Sequence, residues 1–132
     1  MFAALFILLY TAHLLADCPF QTDHQAGHKD KSGAAGWRAN LAHSGTHIAV
    51  TALLLGVGAL TLPEFRINAA STLLALAWIG GTHSFIDRRW PISGWMAIAR
   101  QSEWAKRGGA AHVDQTAHIT ALVIAAIAMT TL

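Results

Sequence analysis

Four pairs of ionisable side chains recur along the chain, and the two members of each pair are four positions apart. The pairs are His13 with Asp17, His43 with His47, His83 with Asp87, and Asp114 with His118. Residues i and i+4 of an α-helix project from one face, one turn apart. Imidazole and carboxylate groups are ligands for Zn²⁺, Fe²⁺ and Mn²⁺. The spacing therefore predicts a divalent-metal site wherever the four pairs meet.

Chance placement does not account for this number of pairs. The chain has fifteen residues that are His, Asp or Glu, and random placement would give about two such pairs. There are five, the fifth being His24 with His28. Because Gly27 lies between these two histidines in a polar segment, a solvated loop is the favoured interpretation, and a lid that contributes one ligand is the alternative.

The composition indicates that the chain is a membrane protein. Apolar residues make up 54% of the 132-residue chain and charged residues only 12%, about half the charged fraction of a typical soluble domain. The mean hydropathy is +0.41. A net charge of +2 is too small to indicate nucleic-acid binding. We therefore expect one integral membrane domain over residues 1–132.

Four apolar segments stand out, and each carries one pair. They are Phe2 to Ala16, Trp37 to Leu62, Asn68 to Asp87, and Ala110 to Leu132, with Asn68 as a plausible N-cap. The first and last are short for a bilayer core of about 30 Å. The predicted fold is all-α, a four-transmembrane-helix up-down bundle.

The charges of the connections predict the orientation. The two long connections, Cys18 to Gly36 and residues 88 to 109, lie on one side of such a bundle, and the tight turn at residues 63 to 67 lies on the other. Eight of the nine basic residues fall on the long-loop side or just beyond it. The positive-inside rule makes that side cytoplasmic in a bacterial inner membrane and puts both termini outside. All four pairs then arrive at one depth, near the cytoplasmic face.

The segment Ser93 to Arg107 is predicted to form a short amphipathic helix at the membrane interface, between spans three and four. Trp95, Ile98 and Ala99 would form its apolar face. A solvated loop is the alternative.

Eight groups are too many for one tetrahedral ion. They are His13, Asp17, His43, His47, His83, Asp87, Asp114 and His118. The set fits two ions with open positions, or one ion with outer carboxylates that orient the histidines. Zinc is the favoured metal, with iron or manganese as alternatives. The opposing hypothesis is a metal-free His/Asp cluster that fastens four helices by hydrogen bonds.

The same motifs carry a resemblance. HLLADCPFQTD (His13 to Asp23), HSGTH (His43 to His47), HSFID (His83 to Asp87) and VDQTAH (Val113 to His118) resemble a small bacterial and phage membrane family, the domain of unknown function DUF3307. The resemblance covers nearly the whole chain and implies no established activity. A fainter likeness is to predicted membrane-bound metal-dependent hydrolases, and it favours hydrolysis by analogy.

The leading hypothesis is metal-assisted hydrolysis of a lipid or lipid-linked substrate. Asp114 or Asp17 would act as general base. Arg88 or Arg89 would hold an anionic head group, or else anchor the chain at the membrane surface. The alternatives are a di-iron oxidative enzyme acting on acyl chains, a metal transporter or sensor, and a structural membrane protein. The lipid bilayer is the expected partner, and a homo-oligomer is compatible with the sequence.

Overall fold

The computed structural model describes residues 1–132, and the chain is 82% helical with no strands. Seven α-helices follow in order: α1 Phe2–Asp17, α2 Asp23–His28, α3 Gly33–Thr61, α4 Ala69–Ile86, α5 Trp90–Ile98, α6 Ser102–Trp104 and α7 Ala110–Thr131. The all-α prediction is confirmed. Both ends of α1, α4 and α7 lie within one residue of the ends of the predicted apolar segments. Helix α3 begins four residues before its predicted segment.

Local signals account for several of these boundaries. Asn68 caps α4, since its side chain accepts a hydrogen bond from the Ser71 amide at 2.8 Å, as its sequence position predicts. Pro63 follows α3, and Pro91 stands in the first turn of α5, where proline is tolerated. Gly108 has a φ of 92°, which interrupts the helical geometry before α7 begins.

Helices α1, α3, α4 and α7 pack around one another, with α1 and α4 each in contact with both α3 and α7. One end of this group is an apolar core that includes Leu5, Leu9, Leu55, Ala75 and Leu122. These residues come from the N-terminal halves of α1 and α4 and from the C-terminal halves of α3 and α7. The opposite halves, which carry the four pairs, therefore meet at the other end.

Three helical stretches are long and apolar enough to cross a membrane, namely Gly33–Thr61, Ala69–Ile86 and Ser102–Thr131. Helix α1 has 16 residues, which at 1.5 Å per residue is about 24 Å, less than a typical hydrocarbon core. The outer surface is apolar, with Leu60 89% exposed and Leu73 67% exposed. These features fit a membrane protein.

The segment between α4 and α7 differs from its prediction. The expected helix over Ser93 to Arg107 starts earlier, at Trp90, and is broken at Arg100, whose φ of 57° is left-handed. Its residues buried against the protein are Ile92 and Met96, whereas Ile98, predicted on the apolar face of the interfacial helix, is 82% exposed. Pro91 explains the early start, because its fixed φ favours the first turn of a helix.

Candidate metal centre

Asp17 is the meeting point of histidines from three helices. Its Oδ2 lies 3.2 Å from Nε2 of His13, one turn earlier on α1. Its Oδ1 lies 3.0 Å from Nε2 of His43, 3.2 Å from Nε2 of His47 and 3.7 Å from Nε2 of His83. All four imidazoles therefore turn the same nitrogen towards one carboxylate.

Asp87 forms a second meeting point beside the first. Its Oδ2 is 3.1 Å from Nε2 of His83 and 3.5 Å from Nε2 of His43. Its Oδ1 is 4.0 Å from Nε2 of His118 on α7. Asp87 is only 5% exposed, so an ionised carboxylate here needs charged or hydrogen-bonding partners.

These contacts give two sets of ligand atoms. The first set comprises His13, Asp17, His47 and His83, and the second comprises His43, His83 and Asp87. Within each set the ligand atoms lie within 4.8 Å of one another, and His83 belongs to both. The residues come from three helices, and all are buried except Asp17, which is partly buried. Because one imidazole nitrogen binds only one ion, the sets could hold two ions with His83 bound to one of them, or one ion with neighbouring groups around it.

Several atoms in the centre have no hydrogen-bond partner although they are buried. They include Nε2 of His83 and Nε2 of His118. Buried polar atoms are nearly always satisfied in native proteins, and an orphan requires an explanation. Imidazole nitrogens without hydrogen-bond partners beside the Asp87 carboxylate fit a bound cation.

His118 and Asp114 pair as their spacing predicts, but Asp114 stands behind the imidazole. Nδ1 of His118 lies 3.0 Å from the Asp114 carbonyl oxygen and 3.3 Å from its carboxylate. The other ring nitrogen faces Asp87. Asp114 therefore belongs to neither ligand set, and its contact suits a carboxylate that fixes the orientation of a histidine.

Polar contacts hold α3 against α4 beside the centre. The Asn40 side-chain amide donates to the Ser84 carbonyl at 3.1 Å, and the Ser84 hydroxyl donates to Oδ1 of Asn40. The Ser44 hydroxyl donates to the Gly80 carbonyl at 2.6 Å. A Cβ at Gly80 would come within 2.5 Å of Ile48, so glycine permits this close approach. The sequence analysis missed Asn40 and Ser44, although they flank His43 on the same helix.

Three more side chains reach the centre from its edge. Nε2 of Gln21 lies 3.0 Å from Nε2 of His43, and Nε2 of Gln115 lies 3.3 Å from Nε2 of His13. Lys29 is 13% exposed, with its ammonium 3.0 Å from Oδ2 of Asp87. Lys29 was missed because a lysine in a polar connecting segment carries no spacing signal.

The two arginines after the third pair have different partners. Arg88 donates from Nη1 to the Lys29 carbonyl at 2.8 Å and from Nη2 to the Lys31 carbonyl at 2.7 Å. Its guanidinium also lies 4.5 Å from the ring centroid of Trp37. Arg89 is largely exposed and pairs with Asp30 at 3.2 Å. Arg88 therefore holds the backbone around Lys29 with two of its five N–H donors, and its predicted role of gripping an anion stays a prediction.

A cavity of about 600 Å³ with both polar and apolar lining residues adjoins the centre. Its lining includes Gln21, Lys29, Asp87, Arg89, Ser93 and Asp114. It gives a small molecule a route to Asp87 and Asp114. His24 and His28 stack on each other in helix α2, where the sequence analysis favoured a loop. Both are exposed and belong to neither ligand set.

A family model described as "Protein of unknown function (DUF3307)" matches residues 5–132. No curated protein and no solved structure matches the chain. The resemblance to DUF3307 is thereby confirmed, and the fainter likeness to membrane-bound hydrolases stays a prediction.

Proposed function

Since the chain belongs to the DUF3307 family of proteins of unknown function, we propose from its site that it is a four-span membrane protein that binds a divalent metal and hydrolyses an amphiphilic substrate. The observation that carries the proposal is the surroundings of the Asp17 carboxylate. Its oxygens lie within 3.7 Å of the Nε2 atoms of four histidines, which are His13, His43, His47 and His83. Burying so many titratable groups in apolar surroundings is costly without a common partner.

The first ligand set is the preferred metal position. Three imidazoles and one carboxylate form a donor set of the kind that zinc accepts, with iron and manganese as alternatives. Asp17 is enclosed by the imidazoles, so it acts as a ligand rather than as a general base.

The proposed membrane arrangement has four spans, with both long connections in the cytoplasm. Helix α1 ends at Asp17, so its polar end would lie at the interface or the bilayer would thin around it. The ligand cluster then lies at head-group depth on the cytoplasmic side, where the scissile groups of lipids and lipid-linked phosphates are found. The excess of Lys and Arg in the long connections supports this orientation.

The cavity residues divide the chemistry between them. A bound divalent metal would activate a water molecule and polarise the scissile group. Asp114 is one-third exposed, lines the cavity and is not in a ligand set, so it is the base that accepts the proton from water. Arg89 lines the same cavity and supplies a cation for an anionic head group.

The second ligand set is the one observation that favours a different activity. With His83 bound to only one of them, two iron ions could occupy the two sets, which suits oxidation of acyl chains. Transport is less favoured, because Leu5, Leu9, Leu55 and Ala126 are at most 1% exposed and close the opposite half of the helix group, where the buried polar side chains are only the hydroxyls of Thr51 and Ser71.

Elemental analysis of the detergent-purified protein tests the proposal. We expect close to one equivalent of metal or more in the wild type and its loss in His47→Ala. His24→Ala removes an exposed histidine outside both sets and should keep the metal. Folded, metal-free wild type purified from metal-replete cells would contradict the proposal.

A further inference from the structure

We propose that the Lys29 ammonium takes the place of a second metal ion, so that the centre consists of one divalent metal and one lysine. The inference rests on the proposed function and specifies its metal count. It concerns a residue for which the spacing of the histidines and aspartates gives no role.

The contacts of Lys29 coincide with the second ligand set. Its Nζ lies 3.0 Å from Oδ2 of Asp87 and 3.2 Å from Nε2 of His43. Those are two of the three donors of that set, and the third donor, Nε2 of His83, lies 3.1 Å from the same Asp87 oxygen. The ammonium therefore already uses the donors that a second ion would need.

A divalent ion and this ammonium cannot share the donors favourably. Both are cations, and in a buried, weakly screened site their repulsion at such distances is strong. Asp87 and Lys29 are both largely buried, so water cannot relieve it. The first set lies around Asp17, and no contact joins Lys29 to His13, Asp17 or His47. One metal there is compatible with the lysine.

The backbone around Lys29 is built to hold that position. Helix α2 begins with a capping box between Thr22 and Gln25, and Lys29 follows its last residue. Arg88 then binds the carbonyl oxygens of Lys29 and Lys31 with two donors of one planar group. A lysine on a freely moving loop would have neither restraint.

The site would then contain two different cations, a divalent metal ion and the Lys29 ammonium. Lys29 lines the cavity together with Asp87 and Arg89, so its charge faces the space where an anionic group would enter. In two-metal hydrolases a second ion stabilises the attacking or leaving oxygen. Here a fixed ammonium would supply that positive charge, which argues against the di-iron alternative.

Metal titration of the full-length protein in detergent tests this inference. Purified protein is saturated with zinc, freed of excess and analysed for zinc per chain. We expect about one zinc in the wild type and about two in Lys29→Met, because the variant frees Asp87 and His43. Lys29→Arg keeps a cation and should stay at one, as should Lys31→Met, which changes a neighbouring lysine whose only contact with Arg88 is through its backbone.

The outcomes separate the two proposals. Two zinc ions in the wild type, or one in a folded Lys29→Met, would overturn the lysine assignment and leave the proposed metal site standing. No zinc in any variant would reject the proposed function and the inference with it. If Lys29→Met does not fold, Lys29→Gln carries the same expectation, and the wild-type count still tests the claim.

Discussion

Nε2 of His47 on α3 lies 3.2 Å from Oδ1 of Asp17 on α1, although the two residues are 30 positions apart in the chain. Each has its own partner one turn away on its helix, so two i, i+4 pairs from different helices interlock at one carboxylate. The same arrangement joins His83 to Asp17 from α4. A helix-packing role alone would not require three helices to direct ring nitrogens at a single, partly buried acid.

Asp17→Asn should abolish high-affinity metal binding. The amide keeps the size of the side chain but removes the charge that four imidazoles face, and loss of this direct ligand should weaken zinc affinity by more than about 100-fold. Competition with a chromogenic chelator measures the change. Asp23→Asn, at the exposed start of α2, is the matched control. Equal affinities in the two variants would remove Asp17 from the ligand set.

Asp114→Asn should separate catalysis from metal binding. Asp114 lies outside both ligand sets, so the variant should retain its metal, while loss of the general base should lower hydrolysis by about 100-fold or more. Chromogenic alkyl esters and alkyl phosphate diesters in mixed micelles serve as substrates for the measurement. A variant as active as the wild type would assign Asp114 only to the positioning of His118.

Arg88→Lys should loosen the segment that carries Lys29. One ammonium cannot reproduce the two parallel bonds to the carbonyls of Lys29 and Lys31. Amide hydrogen exchange over residues 29–33 should become at least about tenfold faster, which corresponds to about 1.4 kcal/mol of lost local stability. Arg89→Lys changes an exposed ion pair and should leave that exchange unaltered.

Gly80 and Gly81 provide a matched pair for testing the close contact of α3 and α4. A Cβ at Gly80 would clash with Ile48, whereas nothing lies within 4 Å of one at Gly81. Gly80→Ala should destabilise the protein by about 1–2 kcal/mol, and Gly81→Ala should be neutral or stabilising because alanine favours helix. Thermal unfolding in detergent measures both. Similar melting temperatures would mean that the helices do not pack as closely as described.

The single cysteine tests the membrane orientation. Cys18 is exposed and directly follows α1, on the connection predicted to be cytoplasmic. A membrane-impermeant maleimide should label it in inverted vesicles and not in intact spheroplasts. Labelling in intact spheroplasts would reverse the proposed topology while leaving the metal centre in place.

The helices and the main residues of the centre could be predicted from the sequence because both depend on local periodicity. An i, i+4 pair specifies its own face of a helix, and an apolar run with an N-cap such as Asn68 specifies where the helix begins. The antiparallel order of four such segments then brings pairs at alternating ends to one level. His13, Asp17, His47 and His83 were all identified in this way.

The remaining contacts depend on packing, which one helix cannot reveal. Lys29 reaches Asp87 only because α2 folds back against α3, and the sequence contains no signal for that. Asn40 on α3 meets Ser84 on α4 only because of the way the two helices pack against each other. That His118 rather than Asp114 faces Asp87 depends in the same way on the rotation of α7 about its own axis.

X-ray absorption at the metal edge of the purified wild-type protein tests the central claim most directly. If the metal in the first ligand set is zinc, the spectrum should show nitrogen and oxygen ligands at about 2.0–2.1 Å. The outer-sphere scattering should be that of several imidazole rings. In Asp17→Asn most of the metal should be lost, and the absorption edge should weaken accordingly. A spectrum with a sulfur ligand, or with oxygen ligands and no imidazole scattering, would contradict the account.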